Sequence, residues 1–350
     1  MSDRARHRPS PRTLAVGAAA GAALTGLVWQ RHHQRTLARD PAYARLTAPL
    51  GGRPMIVCSA DGTALHAEVF GPDDGDTVVL AHGWTEQLTL WGPVIARLSR
   101  HGLRSVAYDL RGHGASGPGA GHDYSLVRFG EDLEAVLTRA VGDRDRGPAV
   151  VVGHSLGAMS IAAWAEHHDV SARARAAALV NTGLGDLVAG HLLFGELARA
   201  VHHPMASRAL LGSRAPLPPF STPLSRAAIR YAAFGPEAGA AEVAFYERML
   251  IACPSDVRAA CGVALSEMDL WHALARLTVP TLVIAGAGDR LTPPAHARRI
   301  ARELPRLTEL LELPGTGHMS PLERPDEVAA ALTRLAQEVA VTAVTDDRSA

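Results

Sequence analysis

The sequence predicts an α/β fold in which a mostly parallel central sheet of about eight strands carries helices on both faces. Three observations lead there. From residue 77 onward, near-continuously apolar runs alternate with helical segments, the pattern of strands buried on both faces. Two earlier runs, 55–59 and 65–70, flank Asp61-Gly62 and read as an antiparallel hairpin at the sheet edge. The alternation then stops between Asn181 and Thr281, a stretch of about a hundred residues and too long for a structureless loop in a compact domain.

The strands follow in order at 55–59, 65–70, 78–81, 105–108, 150–153, 177–181, 281–285 and 307–313. The long interval is helical in character at 192–201, 207–211, 225–234 and 241–253, broken by Ala215-Pro216-Leu217-Pro218-Pro219-Phe220. The expected organisation is therefore an α/β core over 51–182 and 265–340, a helical insertion over 183–264 and a C-terminal tail over 341–350. Residues 1–50 read as a basic segment and linker. Within them Arg4, Arg6, Arg8 and Arg12 precede an uncharged run over 13–30, followed by Arg31, His32, His33 and Arg35. That run is near the short end of what a bilayer span requires, and its Ala/Gly content makes insertion marginal. A cleavable signal fits poorly, because the nearest Ala-x-Ala site, Ala42-Tyr43-Ala44, lies beyond further arginines. The favoured expectation is a membrane-associated chain with an uncleaved anchor of unassigned orientation; an exported or a cytoplasmic soluble chain are the alternatives.

Composition narrows the function classes. With 47% hydrophobic residues in 350, the chain can bury one large core with room for an inserted subdomain. Acidic and basic residues balance at 35 each, so no global field attracts nucleic acid. Every basic residue among those 35 is Arg, which with the Ala/Gly richness matches a GC-rich bacterial genome. Cys58, Cys253 and Cys261 are too few for a disulfide framework. Cys253 and Cys261 are a candidate pair only in an oxidising compartment. The histidine pairs at 32–33, 167–168 and 202–203 lack acidic or thiol neighbours at metal spacing and read as surface residues; no metal and no cofactor are expected.

Chemistry concentrates in Gly153-His154-Ser155-Leu156-Gly157, which joins the apolar strand 149–152 to the helix-forming segment 158–164. On such a sharp strand-to-helix turn a serine hydroxyl stands clear of the backbone at the positive end of a helix. Ser155 is thus the candidate nucleophile. Asp289, just beyond the strand 281–285 and before Pro293-Pro294, is the candidate acid, with Asp186 as a second choice. His318, in the Gly-flanked loop after 307–313, is the candidate base; its position after both serine and acid selects it among 17 histidines. His154 reads as packing inside the turn. For a developing oxyanion, the expected donors are the backbone N–H groups of Trp84, in the loop after strand 77–81, and Leu156 at the helix start.

The chain resembles the α/β-hydrolase family over nearly everything from Met55 to Val339. His82-Gly83-Trp84 looks like the family's oxyanion loop, and Asp109-Leu110-Arg111-Gly112-His113-Gly114-Ala115-Ser116 looks like its Asp-x-Arg-Gly-His-Gly-x-Ser segment. The resemblance implies the triad Ser155, Asp289 and His318, and a helical cap in the place of the insertion. It disfavours the dehalogenase and epoxide-hydrolase branches, whose nucleophile is a carboxylate. Asp109, Arg111 and His113 read as a scaffold for neighbouring turns. Phe194, Phe220, Tyr231, Phe234, Phe245 and Met249 are the candidates to line an apolar acyl pocket, weighed against simple packing within the insertion.

The expected activity is hydrolysis of a small hydrophobic carboxylic ester through an acyl-enzyme. The alternatives are carbon-carbon hydrolysis or cofactor-free perhydrolysis with the same triad, and a non-catalytic small-molecule binder.

Overall fold

The computed structural model describes residues 26, 29–142, 147–187, 208–209 and 211–347. Eight strands form one sheet: β1 (Arg53–Cys58), β2 (Ala64–Phe70), β3 (Thr77–Ala81), β4 (Arg104–Tyr108), β5 (Ala149–His154), β6 (Ala174–Val180), β7 (Thr281–Gly286) and β8 (Leu307–Leu313). Their spatial order is β1-β2-β4-β3-β5-β6-β7-β8. The pairs β1–β2 and β2–β4 are antiparallel, and every pairing from β4–β3 to β7–β8 is parallel. The strands expected from apolar runs all form, with ends displaced by a few residues.

The apolar runs are explained by burial on both faces. Val151 belongs to one core layer, while Val150 and Val152 belong to the other. The first layer is covered by α3 (Leu126–Val141) and α4 (Leu156–His167), which pack on each other, and by α8 (Pro294–Glu303). The second is covered by α2 (Gly92–Arg100) and α9 (Pro325–Asp347). Because the strands run parallel, β3, β5 and β7 all deliver their carboxyl ends to one edge of the sheet.

Between β6 and β7 the chain forms α5 (Pro223–Ala233), α6 (Ala240–Ala252) and α7 (Ser255–Ser266), the last two meeting at 99°. The helix expected at 192–201 lies outside the described residues; 208–209 and 211 are helical. Phe194 is likewise outside them.

Two terminal expectations change. The segment read as a linker before residue 51 contains α1 (Pro41–Thr47), which packs on α6. Tyr43, Leu46 and Leu50 lie against the second core layer; Tyr43 and Leu46, three residues apart, share one face of α1, and Leu50 follows beyond its end. The tail expected from 341 is instead helical to Asp347 as part of α9. His33, read as a surface residue, is buried, stacked on Trp29 and set against the Arg226 guanidinium. Of the 13–30 run only residues 26, 29 and 30 are described, and among the described residues no single helix is long and apolar enough to cross a membrane. Cys253 and Cys261 are free, buried thiols, not a disulfide. Burial pushes the Cys253 thiol up to about 12.

Candidate active site

The serine turn is made where β5 meets α4. Ser155 has φ 50° and ψ −116°, a conformation a non-glycine residue adopts only under constraint. The constraint is visible. Ser155 N–H donates to the Val180 carbonyl at 2.9 Å, and the Ser155 carbonyl accepts the Thr182 hydroxyl at 3.1 Å. The flanking glycines permit the approach: a Cβ on Gly157 would stand 2.4 Å from the Ala81 carbonyl oxygen, and one on Gly153 2.4 Å from the Ala158 nitrogen. Leu156 opens α4, so its N–H is among the donors that a helix leaves unused at its start.

His318 and Asp289 come together from loops 29 residues apart in sequence. Nδ1 of His318 and Oδ2 of Asp289 are 2.8 Å apart, and both side chains are buried. Asp289 also accepts the N–H groups of Leu291 (2.8 Å) and Thr292 (2.9 Å), the Thr292 hydroxyl (2.9 Å) and the Asn181 amide (3.0 Å). Burial alone would raise its carboxyl, but the His318 ring and these donors outweigh it and hold the group below the usual carboxylate range. Asp186, the second-choice acid, is exposed, whereas the His318 ring is joined to Asp289.

The Asp109–Ser116 loop is a scaffold. Asp109 accepts Leu88 N–H at 2.7 Å and Ala115 N–H at 2.9 Å. Arg111 is bidentate to Asp132 at 2.7 and 2.6 Å and reaches Asp61 at 2.9 Å. His113 Nε2 accepts Thr85 N–H at 3.3 Å, and His82 Nε2 accepts Leu110 N–H at 3.0 Å, which tie this loop to the one bearing Trp84. Burial pushes both imidazoles down, so they serve as neutral acceptors.

Two partners were not legible in the sequence. Asn181, at φ 46°, donates to Asp289 and to the Gly317 carbonyl (3.1 Å) and accepts the Ser320 hydroxyl. Glu86 is buried beneath the serine turn, where it accepts Gly83 N–H and faces His154 Nδ1 at 3.0 Å. His154 Nε2 in turn lies 2.9 Å from the His318 carbonyl oxygen. A carboxylate and a carbonyl as the two partners of the ring favour its doubly protonated form. Burial alone would lower its pKa; Glu86 and the His318 carbonyl outweigh that and raise it. Thr292 did leave a signal, since Asp-x-x-Thr just past a strand is a local turn pattern in which the carboxylate caps its own loop.

A cavity of about 340 Å³ opens on Ser155 and His318. Trp84, Met159, Ile229, Tyr246 and Leu250 contribute to its wall. The expected lining differs. Phe234, Phe245 and Met249 are buried in the second core layer, on faces of α6 and its neighbour turned away from the void. Phe220 and Tyr231 are exposed, the latter under the Arg290 guanidinium at 4.6 Å. Helical spacing marks the buried side of a helix but does not distinguish a face against protein from one against a void.

Comparison with known proteins agrees with this architecture. The model of the alpha/beta hydrolase family matches residues 78–331. A non-heme chloroperoxidase of Streptomyces lividans is 30% identical over 277 residues, covering 75% of this chain and 92% of that protein. A monoacylglycerol lipase of Mycolicibacterium smegmatis is 31% identical, covering 69% and 82%. Among solved structures, an esterase from a Rhodococcus species superposes with a TM-score of 0.63 at 25% identity, covering 82% of this chain and 99% of that one.

Proposed function

Since the chain belongs to the alpha/beta hydrolase family, we propose that it is a serine hydrolase acting on hydrophobic carboxylic esters through an acyl-enzyme. The observation that carries this reading is the meeting, in one apolar cavity, of a strained, half-buried serine and a histidine already oriented by a buried carboxylate. With Nδ1 held by Asp289, His318 keeps Nε2 to take the Ser155 proton. The serine oxygen attacks the ester carbonyl, and the Trp84 and Leu156 amides receive the tetrahedral oxyanion. Collapse expels the alcohol, which takes the proton back from His318. Water then repeats the sequence and releases the acid. The 183–264 insertion has the role of a cap, in which its described helices α5, α6 and α7 flank the acyl cavity.

The test is a burst assay with p-nitrophenyl esters from acetate to palmitate, run beside Ser155→Ala. Turnover abolished in the variant supports the mechanism; equal turnover in both refutes it. The chloroperoxidase relative favours a second reading, perhydrolysis at the same serine, in which peroxide replaces water against the acyl-enzyme. Peroxide-dependent bromination of monochlorodimedone by the parent, lost in Ser155→Ala, would select it. For location we propose a membrane tether through the 13–30 run; recovery of the full chain in the high-salt-washed membrane fraction supports it, and recovery in the supernatant overturns it.

A further inference from the structure

Arg258, on α7, is 9% exposed and shares the wall of the cavity with Ser155 and Trp84. Its position is fixed from both ends. The Arg258 carbonyl accepts the Trp84 indole N–H at 3.1 Å, which places the residue beside the loop expected to hold the oxyanion. Its Nη2 donates to the Ala215 carbonyl at 2.5 Å. A guanidinium carries five N–H donors, and this single neutral carbonyl is the one hydrogen-bond acceptor its side chain has among the described residues.

The absence of a counter-charge sets Arg258 apart. Arg111, fully removed from solvent, is enclosed by the carboxylates of Asp132 and Asp61. Arg258 has no carboxylate within ion-pair distance among the described residues, although Glu86 lines the same cavity. Glu86 is already committed to Gly83 N–H and His154. The surrounding wall is apolar, with Leu211, Ile229 and Leu250 among its members. A guanidinium never loses its charge in a protein, so a neutral neighbourhood leaves that charge uncompensated. Holding one carbonyl does not require a permanent cation, since a neutral amide donor would serve. A ligand anion seated in the cavity would supply what the protein does not, through charge-assisted bonds to a planar fork suited to carboxylate.

Resting on the hydrolase reading above, we propose that Arg258 is an anion subsite and that the preferred substrate is an ester bearing a carboxylate remote from the scissile carbonyl. The substrate is then amphiphilic in a defined way: an apolar spacer lies along Ile229 and Leu250 and ends in a negative charge at Arg258. Hydrolysis of such an ester frees a product with a carboxylate at that end, so a half-ester of a medium-length dicarboxylic acid is the simplest example.

The experiment compares p-nitrophenyl half-esters of glutarate, adipate and suberate with their methyl-capped neutral counterparts, on the full chain and on Arg258→Gln and Arg258→Lys. The quantity read is the ratio of kcat/KM for the anionic ester over the neutral one. The parent is expected to favour the anion at one spacer length. Arg258→Gln lowers that ratio at least tenfold, mostly through KM, and Arg258→Lys restores part of it. A fall of equal size on both esters in Arg258→Gln, or a parent that prefers the neutral ester at every length, overturns the subsite. If no ester of either series is turned over, the hydrolase reading fails separately. The subsite is then judged by calorimetry with free suberate: binding that weakens tenfold in Arg258→Gln upholds it, and binding unchanged in the variants or undetectable in the parent overturns it.

Discussion

Glu86→Gln tests how the serine turn is held to the histidine loop. In the parent, one carboxylate accepts both Gly83 N–H and the Nδ1–H of His154, and the His154 ring passes a second bond to the His318 carbonyl at 2.9 Å. Three chain segments that carry Trp84, Ser155 and His318 are thereby joined through one buried ion pair. The glutamine keeps the shape and one acceptor oxygen but not the charge. A hydrogen bond to a charged group is worth about 1.5–3 kcal/mol against about 0.5–1.5 for a neutral one, and two such bonds are weakened, so the expected loss is roughly 2–4 kcal/mol. That overlaps the lower part of the range for breaking a buried pair, about 3–5 kcal/mol. The loss has a pH signature. His154 has its folded pKa raised, so its contribution is fully present below the unfolded value near 6.5 and disappears as pH rises through the folded value. Without the carboxylate, burial is opposed chiefly by the His318 carbonyl, so the His154 pKa falls relative to the parent and the variant loses the stability that the parent gains at lower pH. Urea unfolding followed by tryptophan fluorescence at about pH 6 and about pH 9 reads both effects: the gap between parent and variant is large at the lower pH and narrows at the higher. Equal stability near pH 6, or a gap that grows toward pH 9, would refute the reasoning.

Ser155→Gly and Ser155→Ala should both lose turnover by at least about 10⁴-fold, yet the glycine form should be the more stable by about 1 kcal/mol in denaturant unfolding, because it relieves φ 50°. Gly157→Ala places a Cβ 2.4 Å from the Ala81 and 2.6 Å from the His82 carbonyl oxygens, so strand β3 and the oxyanion loop must shift; stability falls by about 1–3 kcal/mol and kcat falls sharply, measured on the same ester. Asn181→Ala orphans the Gly317 carbonyl and removes one donor from Asp289, so unfolding should cost about 2–3 kcal/mol less and kcat should drop while KM holds. Ile229→Trp fills part of the cavity and should move the chain-length optimum to shorter acyl groups; an unchanged profile across the p-nitrophenyl series would remove Ile229 from the acyl path.

The sequence by itself determined the order of strands and helices, the early antiparallel edge and the serine turn. Each rests on local physics: apolar runs read strands buried on both faces, and only glycine fits beside Ser155, where neighbouring backbone approaches within 2.4 Å. It also placed Asp289 and His318 correctly as loop residues past β7 and β8, because parallel strands deliver such loops to one edge. Only the tertiary structure decided which side chains meet. Glu86 and His154 are 68 residues apart and Asn181 and Asp289 are 108 apart, and no local pattern announces either pair. The cavity wall was out of reach for the same reason: period marks the buried side of α6, but Phe245 and Met249 face packed protein while Tyr246 and Leu250 face the void. The solitary charge of Arg258 is likewise a property of its surroundings, since what isolates it is the lack of a carboxylate within ion-pair distance among the described residues, which a chain read residue by residue does not contain.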